Sequence, residues 1–507
     1  MQPDISATAL TVGRNLKSAA ARFPAQIAIE TESASLTYAE LSERMNRLGH
    51  AAHNQLDLSP GSIVALLSSN RIEYIEIVLG LAEAGIIVAT LNPGLTAEEL
   101  RAILDDCSPS LAIIDTDLSA LADCLDAKGV PQISLGQDYE ALLMGALPVD
   151  VGGATEIGAF AISYTSGTTG TPKGVVIPHR SRALISLASQ AEYQCFGYKD
   201  RFLALAPMYH GAGFAFALAA VSHGGTCVLH QKNDAESILI RLETDNIDSI
   251  FMVPTHFNRI HDLPEERFLN FANNHSLRTI ISNAAALSPR LKQLTVARFG
   301  DGLLHETYGS TEAGIVTNMR PDLLLAKPES VGGPFLGMEV EIRDKDGSLC
   351  APGEIGELFS RGPYTFLGYL NRQKETDEAV KDGWVTVQDL AMQDEDGAIY
   401  ILGRSKDMIV SGGINVYPAE IEGLIATAPG VLEVAAVGLA DDEWGEVIHA
   451  FLVPEPESNL DVREIEALCR ENLAGYKVPK GFTVLSELPR NVSGKILKKI
   501  LREHFND

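Results

Sequence analysis

Scarcities narrow the reading of this sequence first. Only six cysteines occur in 507 residues, Cys107, Cys124, Cys195, Cys227, Cys350 and Cys469, and no two of them form a Cys-x-x-Cys pair. Neither a disulfide framework nor a zinc site is therefore expected. Basic residues are in deficit: 40 Lys and Arg against 67 Asp and Glu leave a formal net charge of −27. Such a surface repels nucleic acid and anionic lipid, so any polyanion must be held in a local pocket. The N-terminus lacks a basic stretch followed by an apolar run, so no secretory signal is expected. His504-Phe505-Asn506-Asp507 at the other end carries no peroxisomal Ser-Lys-Leu address. A reducing cytoplasm is the expected location. Long uncharged runs are also missing, apart from residues 202–221, which Pro207, Gly211 and Gly213 interrupt. A buried strand, a loop and a helix are expected there, not a membrane span.

What is present is ordinary for a soluble folded protein: 46% hydrophobic and 21% charged residues. At about 150 residues per domain the length suggests about three modules, or one large unit with a small appendage. Short apolar runs at 62–67, 111–114 and 227–229 alternate with stretches of helical period at 37–52, 73–84, 96–105 and 235–245. This alternation predicts an α/β protein of layered helices and largely parallel sheets. From 332 to about 403 the texture changes to short strands punctuated by Asp346-Gly347, Pro352-Gly353, Gly362-Pro363 and Asp396-Gly397, which favours a small antiparallel or barrel-like subdomain. Beyond Arg404, strands are expected at 432–439 and 448–453 and a helix at 461–473. In the stretch 477–502, seven Lys and Arg face the single acid Glu487. That end fits an anion-binding element and a solvated basic tail helix equally well.

The strongest local signal is Tyr164-Thr165-Ser166-Gly167-Thr168-Thr169-Gly170-Thr171-Pro172-Lys173-Gly174, close behind the apolar run 159–162. Glycines let successive amides point at one anion, while hydroxyls and one ammonium complete a phosphate cradle. It is not a Walker A loop, because Thr171-Pro172 separates Gly170 from Lys173.

At this string the chain resembles the adenylate-forming superfamily of acyl-CoA synthetases, nonribosomal-peptide adenylation domains and firefly-type luciferases. The likeness covers essentially the whole chain and recurs in the family's order: PMYHGAG at 207–213, YGSTEAG at 308–314, GEL at 356–358, GYLNR at 368–372, GWVTVQD at 383–389, GRSKDMIVSGGINVYPAEIE at 403–422 and PRNVSGK at 489–495. The resemblance implies a large N-terminal adenylation domain over 1–404, with the β-rich subdomain at about 332–403. It further implies a small mobile α+β C-terminal domain over 405–507, hinged at Lys406. It implies an ATP-dependent acid–thiol ligase that uses Mg²⁺, first making an acyl-adenylate and diphosphate and then transferring the acyl group to CoA. Under it, Thr165, Ser166, Gly167, Thr168, Thr169, Gly170 and Lys173 belong to the nucleotide site, as do Tyr308 and Gly309. Thr311 would contact the α-phosphate and Glu312 would hold Mg²⁺. Alone, Glu312 reads equally as a carboxylate at a helix N-terminus.

Asp389 would accept from the ribose hydroxyls with Arg404 assisting, and Asn283, Ala284 and Ala285 would form an adenine and acyl wall. Lys495 would neutralise charge building on the carboxylate and α-phosphate oxygens. Rotation about Lys406 would then withdraw Lys495 and bring Gly412 and Gly413 beside the pantetheine thiol. Tyr209, His210, Gly213, Phe214 and Ala284 would bound the acyl pocket. His210 stands at its gate and is a catalytic candidate, although a lone histidine reads first as packing. Two places depart from the family: Val387-Gln388 stands where Thr-Gly is usual, and Asn283 replaces a common glycine.

No acid lies between Phe202 and Val221 to pair with a substrate ammonium, and residues 284–287 offer no cation for a second carboxylate. An isolated buried charge is costly, so a hydrophobic monocarboxylate is expected: aromatic, cyclic or medium-chain. Two other readings stay open at this level, a luciferase-like or stand-alone adenylating enzyme with a non-CoA acceptor, and an inactive nucleotide-binding protein. The expected partners are the acid, ATP and CoA, with no nucleic acid and no membrane span; a homodimer is left open.

Overall fold

A computed structural model describes residues 9–165, 172–232, 234–269, 271–411, 414–441, 444–455, 458, 460–490 and 496–503. The helices start where local chemistry dictates. Thr37 and Thr96 each close a capping box with a glutamate three residues on, opening helices Tyr38–Asn54 and Ala97–Cys107. Asp461 caps Val462–Asn472 through its side chain.

The described strands form four sheets. In the seven-stranded sheet, Ile63–Leu67, Ile87–Leu91, Leu111–Ile114, Gln132–Ser134 and Ala159–Thr165 run parallel, and Lys173–Pro178 turns back antiparallel along Ala159–Thr165. In the nine-stranded sheet, Ile27–Glu30, Thr226–Leu229, Arg201–Ala204, Ser249–Met252, Thr279–Ser282 and Leu304–Ser310 form the parallel centre. The parallel strands are almost wholly apolar and buried, as expected of sheets covered on both faces. One apolar core draws side chains from both sheets and from the helices between them. The run at 202–221 resolves into strand Arg201–Ala204, a loop and helix Gly211–Ser222, which is buried along most of its length. No helix among the described residues is long and apolar enough to cross a membrane.

A six-stranded antiparallel sheet is built from Glu339–Arg343, Gly356–Arg361, Val380–Lys381, Trp384–Val385, Asp389–Gln393 and Ile399–Arg404. Two short strands from the same stretch of chain leave it. Gly333–Pro334 pairs with Gly314–Met319 and Gly368–Tyr369 with Lys173–Pro178, so the β-rich segment is stitched to both larger sheets. After the 3₁₀ turn Ser405–Asp407 the chain forms a five-stranded sheet with its own core and two covering helices, Pro418–Ile425 and Val462–Asn472.

Candidate active site

The site is assembled at the ends of strands from different sheets. Strands Leu304–Ser310 and Gly314–Met319 form an antiparallel pair with a register shift at Tyr308/Gly309, and the turn joining them carries Thr311, Glu312 and Ala313. The backbones approach so closely that a Cβ on Gly309 would lie 2.1 Å from the Gly314 carbonyl oxygen. Glu312 thus stands in a hairpin turn and not at a helix N-terminus, which removes the alternative reading of its carboxylate.

Glu312 is buried, with 8% exposure. Tyr369 donates its hydroxyl to Glu312 Oε1 at 2.8 Å, and the Phe366 amide donates to the Glu312 carbonyl at 2.8 Å. Burial, then the charge of Glu312, pushes the Tyr369 hydroxyl well above the ordinary tyrosine range, so it remains a neutral donor. Over the same ring, at 5.3 Å from its centroid, lies Lys173 Nζ. Thr165 and Lys173 face each other in register across their strand pair, and the connecting Ser166, Gly167, Thr168, Thr169 and Gly170 lie outside the described residues. Among the described residues no cation pairs with Glu312, and no group of three or more His, Cys, Asp and Glu could hold a metal. One buried carboxylate with no basic partner suits Mg²⁺, which takes one or two carboxylates and completes its shell with water and substrate phosphate.

The second cluster is centred on Asp389, also 8% exposed. Asp389 and Arg404 face each other across adjacent strands, with Arg404 Nε 3.3 Å from Oδ1. Tyr308 donates its hydroxyl to Asp389 Oδ2 at 2.6 Å, and burial, reinforced by Asp389, raises the tyrosine's pKa. The substitution at 388 has a local cost: Gln388 adopts φ 63°, a left-handed conformation in which glycine is at ease. Thr386 supports the segment, its hydroxyl accepting from the Gln388 amide at 3.0 Å and donating to Glu357 at 2.6 Å.

Asn283, the other departure, donates to the Thr307 hydroxyl at 2.7 Å and accepts from the Ala284 amide, while Ala284 takes φ 78°. Ala284 and Ala285 are exposed. Behind this wall the Leu287 amide donates to Glu306 Oε1 at 2.8 Å, and buried Glu306 is ion-paired to buried Lys292.

Tyr209 and His210 lead into helix Gly211–Ser222, with their rings 4.6 Å apart. Burial lowers the His210 pKa to about 4, and its buried Nε2 has no partner among the described residues. Gly213 and Phe214 are buried. A Cβ on Gly213 would meet the Pro207 carbonyl oxygen at 2.4 Å, and Phe214 packs on Tyr74 and Phe160.

Lys406 sits in the turn Ser405–Asp407, where an ion pair from Arg502 to Asp407 at 2.9 Å ties the C-terminal helix Lys498–Glu503 to the turn. Gly412, Gly413 and Lys495 lie outside the described residues.

Two residues escape the sequence reading. Tyr369 lies inside the GYLNR string, yet its hydroxyl contact to Glu312 has no signature in one dimension. Arg182, on helix His179–Tyr193, is 4% exposed and reaches the Thr311 carbonyl at 3.5 Å. Its place on the face shared by Ile185, Ser186 and Ser189, all buried, is the periodic signal that could have found it.

This arrangement, a strand pair that sets Lys173 over the Tyr369 ring, a buried carboxylate held by Tyr369 and a Tyr–Asp–Arg cluster, all in an α/β frame, fits an adenylate-forming enzyme. The chain belongs to the AMP-binding enzyme family: residues 16–370 match that family's model and 420–495 match its AMP-binding enzyme C-terminal domain. It is 34% identical over 490 residues to the 2-succinylbenzoate–CoA ligase of Bacillus cereus, covering 95% of this chain and 96% of the relative. It is likewise 34% identical to the feruloyl-CoA synthase of an Amycolatopsis species over 487 residues, covering 95% and 96%. Among solved structures it resembles ATP-bound MatB from Rhodopseudomonas palustris, with a TM-score of 0.91 and 28% identity over 98% of this chain and 99% of the other. The class is that of the AMP-forming acyl-CoA ligases, which use ATP with Mg²⁺ and take CoA as a substrate. These relatives favour neither a luciferase-like acceptor nor a silent nucleotide-binding role.

Proposed function

We propose that this ligase activates a hydrophobic monocarboxylic acid, aromatic, cyclic or medium-chain, in the cytoplasm. In the first half-reaction a carboxylate oxygen attacks the α-phosphorus of ATP, the bond to the β-phosphate oxygen breaks, and diphosphate leaves. In the second, the CoA thiol loses its proton, sulfur attacks the acyl carbon, and AMP departs with the bonding pair. Carboxylates resist thiols because oxide leaves badly; the mixed anhydride removes that obstacle.

The residues take these roles. Thr165, Lys173 and the loop between them receive the phosphates, and Thr311 meets the α-phosphate. Glu312 would hold Mg²⁺, which supplies charge neutralisation at the phosphate oxygens. Tyr369 fixes the Glu312 carboxylate. Asp389, with Arg404 and Tyr308, receives the ribose, and Asn283, Ala284 and Ala285 border the adenine. Tyr209 and His210 front the acyl pocket, and His210 is neutral at physiological pH because burial disfavours its cation. Lys495 serves adenylation, and rotation of the segment beyond Lys406 exchanges it for Gly412 and Gly413.

The observation that carries this reading is the convergence of Lys173, Tyr369, Glu312 and Thr311 beside a segment, 202–221, that contains no acid. The relatives named for 2-succinylbenzoate and feruloyl substrates lend weight to an aromatic acid, and the first of these acids carries two carboxylates. The test is a panel of benzoate, cinnamate, cyclohexanecarboxylate, hexanoate, phthalate, malonate and an amino acid, supplied with ATP, Mg²⁺ and CoA. Diphosphate release and thioester formation are measured. A monocarboxylate is expected to lead; preference for malonate, phthalate or the amino acid would contradict the reading.

A further inference from the structure

Helix His179–Tyr193 places two arginines near its start under opposite conditions. Arg180 is exposed and lies 3.7 Å from Glu156. Arg182 is buried, at 4% exposure, and has no ion pair among the described residues; its hydrogen bonds run to the Ser181 hydroxyl at 3.0 Å and, at a long 3.5 Å, to the Thr311 carbonyl. Burial alone lowers its pKa, to about 10, so the guanidinium is still charged at neutral pH. A buried cation without a counter-ion destabilises a fold, and a cation close to a helix N-terminus also opposes the helix dipole. Neither folding nor helix formation accounts for it.

Its position does. The point where a Gly211 side chain would begin lies 3.8 Å from Thr311 Oγ1 and 4.0 Å from Arg182 Nη2. Because Gly211 has no side chain, the hydroxyl and the guanidinium flank one spot. The residue before it is His210, whose buried Nε2 is also unpartnered among the described residues. A planar guanidinium fits a carboxylate better than any other side chain does, and segment 202–221, which carries Gly211, contains no competing acid.

We propose that Arg182 is a catalytic residue that receives the carboxylate of the incoming acid, holding it beside Thr311 for attack on the α-phosphate. Fixed in the large domain, it also remains beside the acyl group when the segment bearing Lys495 withdraws. The inference rests on the monocarboxylate reading.

The test compares the full-length wild type with Arg182→Leu and Arg182→Lys at saturating ATP, using benzoate, cinnamate, hexanoate and phthalate, with thermal melting in parallel. In Arg182→Leu, kcat/KM is expected to fall about 100-fold for each monocarboxylate, the size of a lost charge-assisted pair. Its melting temperature is expected to hold or rise, because an uncompensated charge has been removed. Arg182→Lys should recover part of the activity. An unchanged kcat/KM, a Leu variant that melts lower or fails to fold, or a loss confined to phthalate would each overturn the assignment. The wild-type preferences within the same panel judge the monocarboxylate reading separately, whatever the variants do.

Discussion

Tyr369 illustrates how one hydroxyl organises the site: it fixes Glu312 from one side while its ring lies under the Lys173 ammonium. Tyr369→Phe keeps the ring and removes the donor, so Glu312 loses a charge-assisted hydrogen bond. The expected result is a kcat/KM for Mg²⁺·ATP lower by about 10-fold, corresponding to roughly 1.4 kcal/mol, with little change in KM for the acid; initial-rate kinetics at varied ATP would show it. At this scale legibility in the sequence is uneven. Asp389 and Arg404 are expected only through the resemblance that their motifs carry; read alone, the two residues suggest no more than a surface ion pair. Arg182 is legible only as a residue on a buried helix face; its lack of a counter-ion among the described residues is a property of its surroundings, Thr311 among them, that the sequence does not show. The left-handed backbone at Gln388 and Ala284 is hidden for a related reason. Each stands at or next to a place where the resemblance leads one to expect glycine, but only the fold shows that the backbone there is left-handed without one.

Among elements, helix Pro289–Phe299 is anchored to strand Leu304–Ser310 by the buried pair Lys292–Glu306, and the same glutamate holds the Leu287 amide next to the proposed adenine wall. Lys292→Met would leave a buried carboxylate without its cation, at a cost of about 3–5 kcal/mol. Burial already raises the Glu306 pKa, and the substitution raises it further. A carboxyl whose folded pKa exceeds its unfolded value contributes stability that is full in acid and is lost as pH rises through the folded pKa. The variant's deficit is therefore expected to be larger at pH 8 than at pH 5, as read by denaturant titration at both. Elements themselves are largely legible. The expected helix at 37–52 is Tyr38–Asn54, capped by Thr37, and the expected strand at 111–114 is Leu111–Ile114. The excursions of Gly333–Pro334 and Gly368–Tyr369 into the large sheets are not legible, because two-residue strands carry no periodicity.

For the whole molecule, five histidines, His179, His210, His256, His261 and His305, are held neutral by burial, with pKa values lowered to about 4. Unfolded histidine takes its proton near pH 6.5, and every tenfold difference in proton affinity between the unfolded and folded chain corresponds to about 1.4 kcal/mol. Depressed folded values contribute stability that is complete above the unfolded pKa and drains away as pH falls from about 6.5 to about 4. A steep loss of unfolding free energy across that window is expected, measured by guanidinium titration at constant ionic strength. The reaction cycle is also a property of the whole chain. Lys495→Ala is expected to abolish most adenylation while sparing thioester formation from supplied acyl-adenylate, with the two half-reactions assayed apart; equal losses would remove its assigned role.

Strand Ile399–Arg404 delivers Arg404 to Asp389, and two residues later the chain reaches Lys406. With the roles proposed above, grip and pivot would be consecutive stretches of one ribbon. Under the proposed roles, a sugar pressed against Asp389 would pull on the axle itself, and the timing of the swing would be set by the nucleotide without any messenger between them.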